Sequence, residues 1–116
     1  MRKDFGVKSW FYPLPVLIIG TYDANGKADA MNAAWGGLYD SNLVELCLSE
    51  GHKTYKNIIE KKAFTISFAT ATTVKESDYV GIVSGNNTPD KMEKAGFTTT
   101  KSLFVDEPII DQYPLT

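Results

Sequence analysis

Two short stretches carry residue types that could do chemistry. In Ala30-Met31-Asn32-Ala33-Ala34-Trp35-Gly36-Gly37 a large aromatic stands among residues almost without side chains. Small residues at a strand end let another body approach the main chain closely. The backbone N–H and C=O groups of Asn32, Ala33 and Ala34 would pair with it, the Asn32 amide adds both donors and an acceptor, and Trp35 supplies an apolar plate. A flat heteroaromatic molecule with polar atoms along one edge fits that description; a strand end at which Trp35 plugs the core is the alternative. The second stretch, Ser49-Glu50-Gly51-His52-Lys53-Thr54, leads from a strand pattern into a helix pattern. Uncapped N–H groups and the helix dipole make such a start an anion site. Ser49, His52, Lys53 and Thr54 are its candidate contacts, and ordinary capping with a solvated lysine is the alternative.

Other chemistry is poorly represented. The chain has one cysteine and one histidine, which removes an internal disulfide and the usual zinc clusters. No HExxH, GxSxG, GxxxxGK[ST] or GxGxxG motif occurs. Cys47 is expected to be a buried, inert thiol rather than a redox group, and His52 a solvated or capping residue rather than a base. Tyr39 and Asp40 either line a substrate side or belong to an ordinary turn. A net charge of −2 gives no basic face for nucleic acid. The longest apolar run, "PVLIIG", is far below the roughly 20 residues of a membrane span, and no apolar signal core stands at the N-terminus. A cytoplasmic protein is the expectation.

These candidates need elements to hold them. The 116 residues, 43% hydrophobic, suffice for one domain with one core, over 1–116. Val16 to Asp23 is β-rich and apolar nearly throughout, as for a strand covered on both faces. Asn25-Gly26 then signals a hairpin with a type I′ turn, and Ala28 to Trp35 is the return strand. A loop with Gly36, Gly37, Asp40 and Asn42 leads to a strand from Val44 to Ser49, with Val44, Leu46 and Leu48 on one face. His52 to Lys62 changes period: Tyr55, Ile58 and Ile59 form one helical stripe, closed by lysines that suit the negative helix pole. Ala63 to Ala69 returns to alternation. Thr73-Val74-Lys75-Glu76 has capping-box spacing and opens a helix towards Val83. Thr88-Pro89 reads as N-cap and first helical residue, with Gly96 as the stop. Thr98 to Val105 is a further strand candidate, and Pro108 to Thr116 is apolar at Ile109, Ile110 and Tyr113. The pattern is mainly β, or α+β, with about five strands around short inserted helices, too few to close a barrel alone.

A site for a ring beside a site for a phosphate is what a mononucleotide flavin requires. The runs "PVLIIGTYDANGKADAMNAAWGGLYD", "VELCLSEGHKTYKNI" and "DYVGIVSGNNTPDKMEKAGF" resemble, in order, the flavin reductase-like family of FMN-binding split β-barrels, in particular its flavoredoxin-type branch. The resemblance runs from about Trp10 to Pro108. It implies a Greek-key-like split barrel, bound FMN, homodimers with the flavin near the subunit interface, and electron transfer through the flavin. Carried onto this chain, Asn32, Ala33, Ala34 and Trp35 would lie along the ring and ribityl chain. Ser49, His52, Lys53 and Thr54 would hold the phosphate, with Asn57 one turn further on. The "SGNNTPDK" segment, with Ser84, Gly85 and Lys91, would approach the cofactor or the dimer interface; a plain helix-to-helix turn is the alternative. Members of the family usually continue further and add strands that complete the barrel, so the resemblance makes this chain a C-terminally shortened member.

The function the resemblance implies is that of an FMN-dependent oxidoreductase taking hydride from NADH or NADPH, with no side chain acting as acid or base. A flavoredoxin-like carrier fed by a redox protein, without nicotinamide reductase activity, is the second reading. A shortened, non-catalytic interaction domain is the third.

Overall fold

The computed structural model describes residues 1–116. Asn25-Gly26 does turn the chain, but only Gly26 takes a positive φ, at +77°, so the turn is not the type I′ expected. The Asp23 N–H donates to Lys27 O at 2.9 Å, and the Asp23 carboxylate accepts from the N–H groups of Asn25 and Lys27. The turn is thus a three-residue loop ending on a left-handed glycine. The strands it joins are β1 (Leu17–Tyr22) and β2 (Ala28–Ala33), antiparallel from Leu17↔Ala33 to Tyr22↔Ala28.

The apolar run of β1 is covered on both faces, as its composition requires. Ile18 and Ile19 point in opposite directions and both are fully buried. On one face Ile18 and Ala30 pack with Val80, Phe97, Ile110 and Tyr113. On the other, Leu17, Ile19, Met31 and Ala33 meet Leu46, Leu48, Ile58, Phe64 and Ile66. The later elements supply these covers: β3 (Gly36–Asp40), β4 (Leu43–Leu46), α1 (Lys53–Lys61), β5 (Thr65–Phe68), α2 (Val74–Ile82), α3 (Lys91–Lys94), β6 (Thr99–Lys101) and β7 (Pro108–Ile110). Strand order is β2-β1-β5 in the central sheet, with β3-β4 and β6-β7 as separate antiparallel pairs. The architecture is mostly strands with a few short helices, as expected.

Several expectations need correction. Gly36 to Asp40 is a strand, not a loop: two glycines conceal it in the sequence, yet it pairs with β4 from Gly36↔Leu46. A Cβ on Gly36 would stand 2.9 Å from Glu45 O, so the close pairing itself demands glycine there. In α1 the buried residues are Thr54 and Asn57, while Ile59 is exposed. The helix turns a polar pair inward because both side chains find partners on the central sheet. The capping box belongs to Thr70 and Thr73 around a short 3-10 turn, one turn before α2, and Thr73 makes no side-chain cap at α2 itself. The third helix starts at Lys91, beyond Thr88-Pro89, although Gly96 does end it with φ +72°. Pro108 to Ile110, a short apolar run behind a proline, is also a strand.

The second face of the core is only partly roofed. Val44 links two apolar hollows of about 260 and 360 Å³, one reaching Leu48, Tyr55 and Phe64, the other Leu17, Leu38 and Phe68.

Glu107, just before β7, is fully buried; one carboxylate oxygen accepts from the Tyr22 N–H, and the other, Oε1, has no partner. Burial pushes its carboxyl above the usual 4.5; the Tyr22 N–H and Lys61 pull the other way and Asp106 adds to the rise. An acid whose folded pKa is raised costs no stability below its unfolded pKa and destabilises progressively as pH rises through the folded value. Glu107→Gln keeps the acceptor for Tyr22 without the charge. Its melting temperature should exceed wild type at pH 7 and match it near pH 4, as read by circular dichroism; a lower value at pH 7 would contradict this account.

Candidate functional site

The bare stretch after β2 stands where the strand leaves the sheet. Because β2 is an edge strand, its outer main-chain groups have no strand partner. Asn32 and Ala33 are still in register with Ile18 and Leu17, so their inner groups belong to the ladder. Ala33 is buried in the second core face and Ala34 is exposed. The Asn32 amide donates to Ser77 O of α2 at 3.2 Å, and a Cβ on Gly81 would stand 3.0 Å from the Asn32 Cβ, so α2 lies directly on that side chain. Trp35 does not plug the core: it is 52% exposed, and its carbonyl accepts from Cys47 N–H at 2.8 Å.

That last bond connects the two candidate stretches. Cys47 begins the loop that runs through Ser49 and His52 into α1. The His52 N–H donates to Ser49 O at 3.1 Å, and His52 occupies the N-cap position without a side-chain capping bond. The first-turn N–H groups of α1 therefore receive no protein cap, which leaves the positive end of the helix open to an anion. The same loop is held from a third direction by the Asn86 amide, which donates to Gly51 O at 2.9 Å. Trp35, the helix start and the 84–91 segment thus border one loop.

Closer in, the cationic residues are already paired. Lys53 Nζ lies 3.2 Å from Asp23 Oδ2. Burial pushes the Asp23 carboxyl up, but the Lys27 N–H, Lys53 and the Asn25 N–H outweigh it and hold it below 3.8. Thr54 is buried with its hydroxyl 3.5 Å from Asp29 Oδ2, and Lys91, equally buried, has its ammonium 3.7 Å from Asp29 Oδ1. Burial drags the Lys91 pKa down and Asp29 opposes that. Asn57 is buried and donates to Thr21 Oγ1 at 3.0 Å, one turn inside the helix. A polar hollow of about 160 Å³ lies among Asp23, Asp29, Lys53, Gly85, Thr88 and Lys91.

Of the residues singled out in the sequence, the structure gathers Lys53, Thr54 and Lys91 about Asp23 and Asp29, places Ser49 and His52 in the loop before α1, bonds Trp35 to Cys47 ahead of that loop, and draws Asn57 into the interior. Cys47 is exposed, against the expectation of burial. Tyr39 and Asp40 are exposed on β3. Sequence reasoning missed Asp23 and Asp29, the two carboxylates that organise the lysines. A charge between Ala28 and Ala30, inside a strand, was the available signal for Asp29.

The flavin reductase like domain model matches residues 9–115, and the chain belongs to that family. Among solved structures it is similar to flavoredoxin of Desulfovibrio vulgaris (Miyazaki F), at 36% identity and a TM-score of 0.90, over 97% of this chain and 62% of that one. It also superimposes on flavoredoxin from Methanosarcina acetivorans at 23% identity and TM-score 0.79, covering 97% and 60% of the two chains. An FMN-binding domain of a flavin reductases-like enzyme from Shewanella baltica OS155 matches at 20% identity and TM-score 0.77, covering 85% and 53%. The last two likenesses are ones of fold. The chain spans roughly three fifths of the flavoredoxins' length. No curated protein matches it. No helix is long and apolar enough to cross a membrane.

Asn57 is held to be structural. Asn57→Ala leaves the fully buried Thr21 hydroxyl without its donor and should cost about 1–3 kcal/mol in urea denaturation, the usual penalty of an orphaned buried polar group. A loss under roughly half a kcal/mol would instead make Asn57 available as a ligand contact.

Proposed function

We propose that this chain binds FMN and serves as an NAD(P)H-dependent flavin oxidoreductase of the flavin reductase type. The observation that carries the reading is the convergence of the β2 ledge and the uncapped start of α1 on one loop, in a chain of this family. The residues present fit the two ends of such a nucleotide. At the ring end, the outer main chain of Asn32 to Ala34 offers donors and acceptors, and exposed Trp35 offers an apolar face. At the phosphate end, Ser49, His52 and the first-turn N–H groups of α1 surround the positive helix pole, with Lys53 adding charge.

Bound FMN supplies the electron transfer; the polypeptide supplies binding, orientation and electrostatics. The main chain of Asn32 and Ala33 is fixed by pairing with β1, and outward N–H groups from there to Trp35 would favour negative charge on a ring edge bound against them. Lys53, 3.2 Å from Asp23, would share its charge between that carboxylate and the phosphate. No side chain is required as an acid or base.

The flavoredoxin likeness at 36% identity favours a second reading, an electron carrier that holds FMN and reacts with a redox protein instead of nicotinamide. Homodimer formation is part of the proposal in either case, supported by the partly roofed apolar face beside Val44.

A visible spectrum of the purified protein with and without FMN, beside its mass in solution, tests cofactor and assembly together. Protein that stays colourless with added FMN overturns both flavin readings. Anaerobic NADH or NADPH then separates them: rapid bleaching supports the reductase and its absence the carrier. Lys53→Met should weaken FMN about tenfold, the worth of one charge-assisted hydrogen bond, and leave riboflavin affinity unchanged. Equal FMN affinity in variant and wild type would remove Lys53 from the phosphate.

A further inference from the structure

Asp29 is the one carboxylate on which three distant segments meet. It projects from β2 and is 3% exposed. Its Oδ2 faces the Thr54 hydroxyl in the first turn of α1, and its Oδ1 faces the Lys91 ammonium at the start of α3. Gly85 completes the enclosure: a Cβ there would stand 2.7 Å from Asp29 Oδ1 and 2.8 Å from Lys53 Cδ. Lys91 is itself 3% exposed and reaches no acceptor other than Asp29. A buried ammonium and carboxylate gain little net stability, because desolvation cancels most of their attraction; two apolar residues of similar volume would hold the core as well. What the charged pair does, and an apolar pair would not, is select one registration of the segments that carry it.

We infer that Asp29 and Lys91 form a positioning clamp that holds the 84–91 segment across the start of α1 and so sets the phosphate end of the flavin site. Lys91 acts in this account through Asp29 and not as a ligand of the phosphate. The geometry supports the separation of roles. Lys53 is 23% exposed at its side chain, whereas Lys91, which lines the same polar hollow, is only 4% exposed and faces Asp29. Asn86, in the same segment, already reaches across to Gly51 O in the loop before α1. Loosening the clamp would therefore let that loop and the helix start drift apart, while the ledge at Asn32 to Trp35, held by β1 and by Cys47, stays in place.

The inference rests on the flavin reading above, and FMN and riboflavin separate the two, since they differ only at the phosphate. Lys91→Met alone strands a buried carboxylate and could unfold the chain, so the informative protein is the neutral pair D29N/K91M. With its fold confirmed by circular dichroism, it should bind riboflavin as wild type does and FMN about tenfold more weakly, in fluorescence titrations. Lys91→Arg, which keeps the charge, should retain most of the FMN preference. If the neutral pair does not fold, Gly85→Ala displaces the same segment with both charges present, and the same ratio is read. An unchanged preference for FMN over riboflavin in the folded variant overturns the clamp alone. Wild-type protein that binds neither flavin overturns the flavin reading and the clamp with it.

Discussion

One strand that must be covered on both faces organises this molecule. β1 presents Leu17, Ile18 and Ile19 to the interior in alternation, each at most 3% exposed. Burying a side chain of this size is worth about 1.5–3 kcal/mol, so neither face can stay open without losing a large share of a small domain's stability. The chain answers with two layers. Elements from α2 onward cover the Ile18 side, and the β3-β4 pair with α1 covers the Ile19 side. The candidate site lies where these layers meet the edge of β2.

The charge arrangement follows from that placement. α1 cannot lay a purely apolar face on the sheet, because Thr21 and Asp29 point towards it, and Asn57 and Thr54 answer them. A polar seam inside an otherwise apolar layer is costly wherever it is left unpaired. The seam is satisfied almost throughout, and the cations on either side of it, Lys53 and Lys91, each have a carboxylate. The molecule therefore shows an open helix start whose surrounding lysines are held in place rather than free in solvent. An anion reaching it meets groups already oriented, which lowers the ordering cost of binding.

Much of the scaffold was legible residue by residue. The two-sided burial of β1 showed in its unbroken apolar run, and the hairpin showed in Asn25-Gly26. The turn type did not, because it depends on where the strands close, at Asp23 and Lys27, and not on the dipeptide alone. β3 was hidden because glycines read as loop until a partner strand approaches closely enough to require them. The ledge and the helix start were visible as small residues beside an indole and as a polar run ahead of an amphipathic one. That they border a single loop was not visible, since the Trp35–Cys47 bond joins segments whose pairing no local pattern encodes.

The amino-acid order by itself determined part of the local grammar: the apolar run that extends as β1, the turn at Asn25-Gly26, the helix after His52 and the helix stop at Gly96. Only the tertiary structure decided the partnerships, with Lys53 given to Asp23, Lys91 and Thr54 to Asp29, and Asn57 to Thr21. The physical reason is one of range. Backbone preference acts between neighbours, whereas a buried charge chooses its partner from whatever the packing of distant segments brings within a few ångströms.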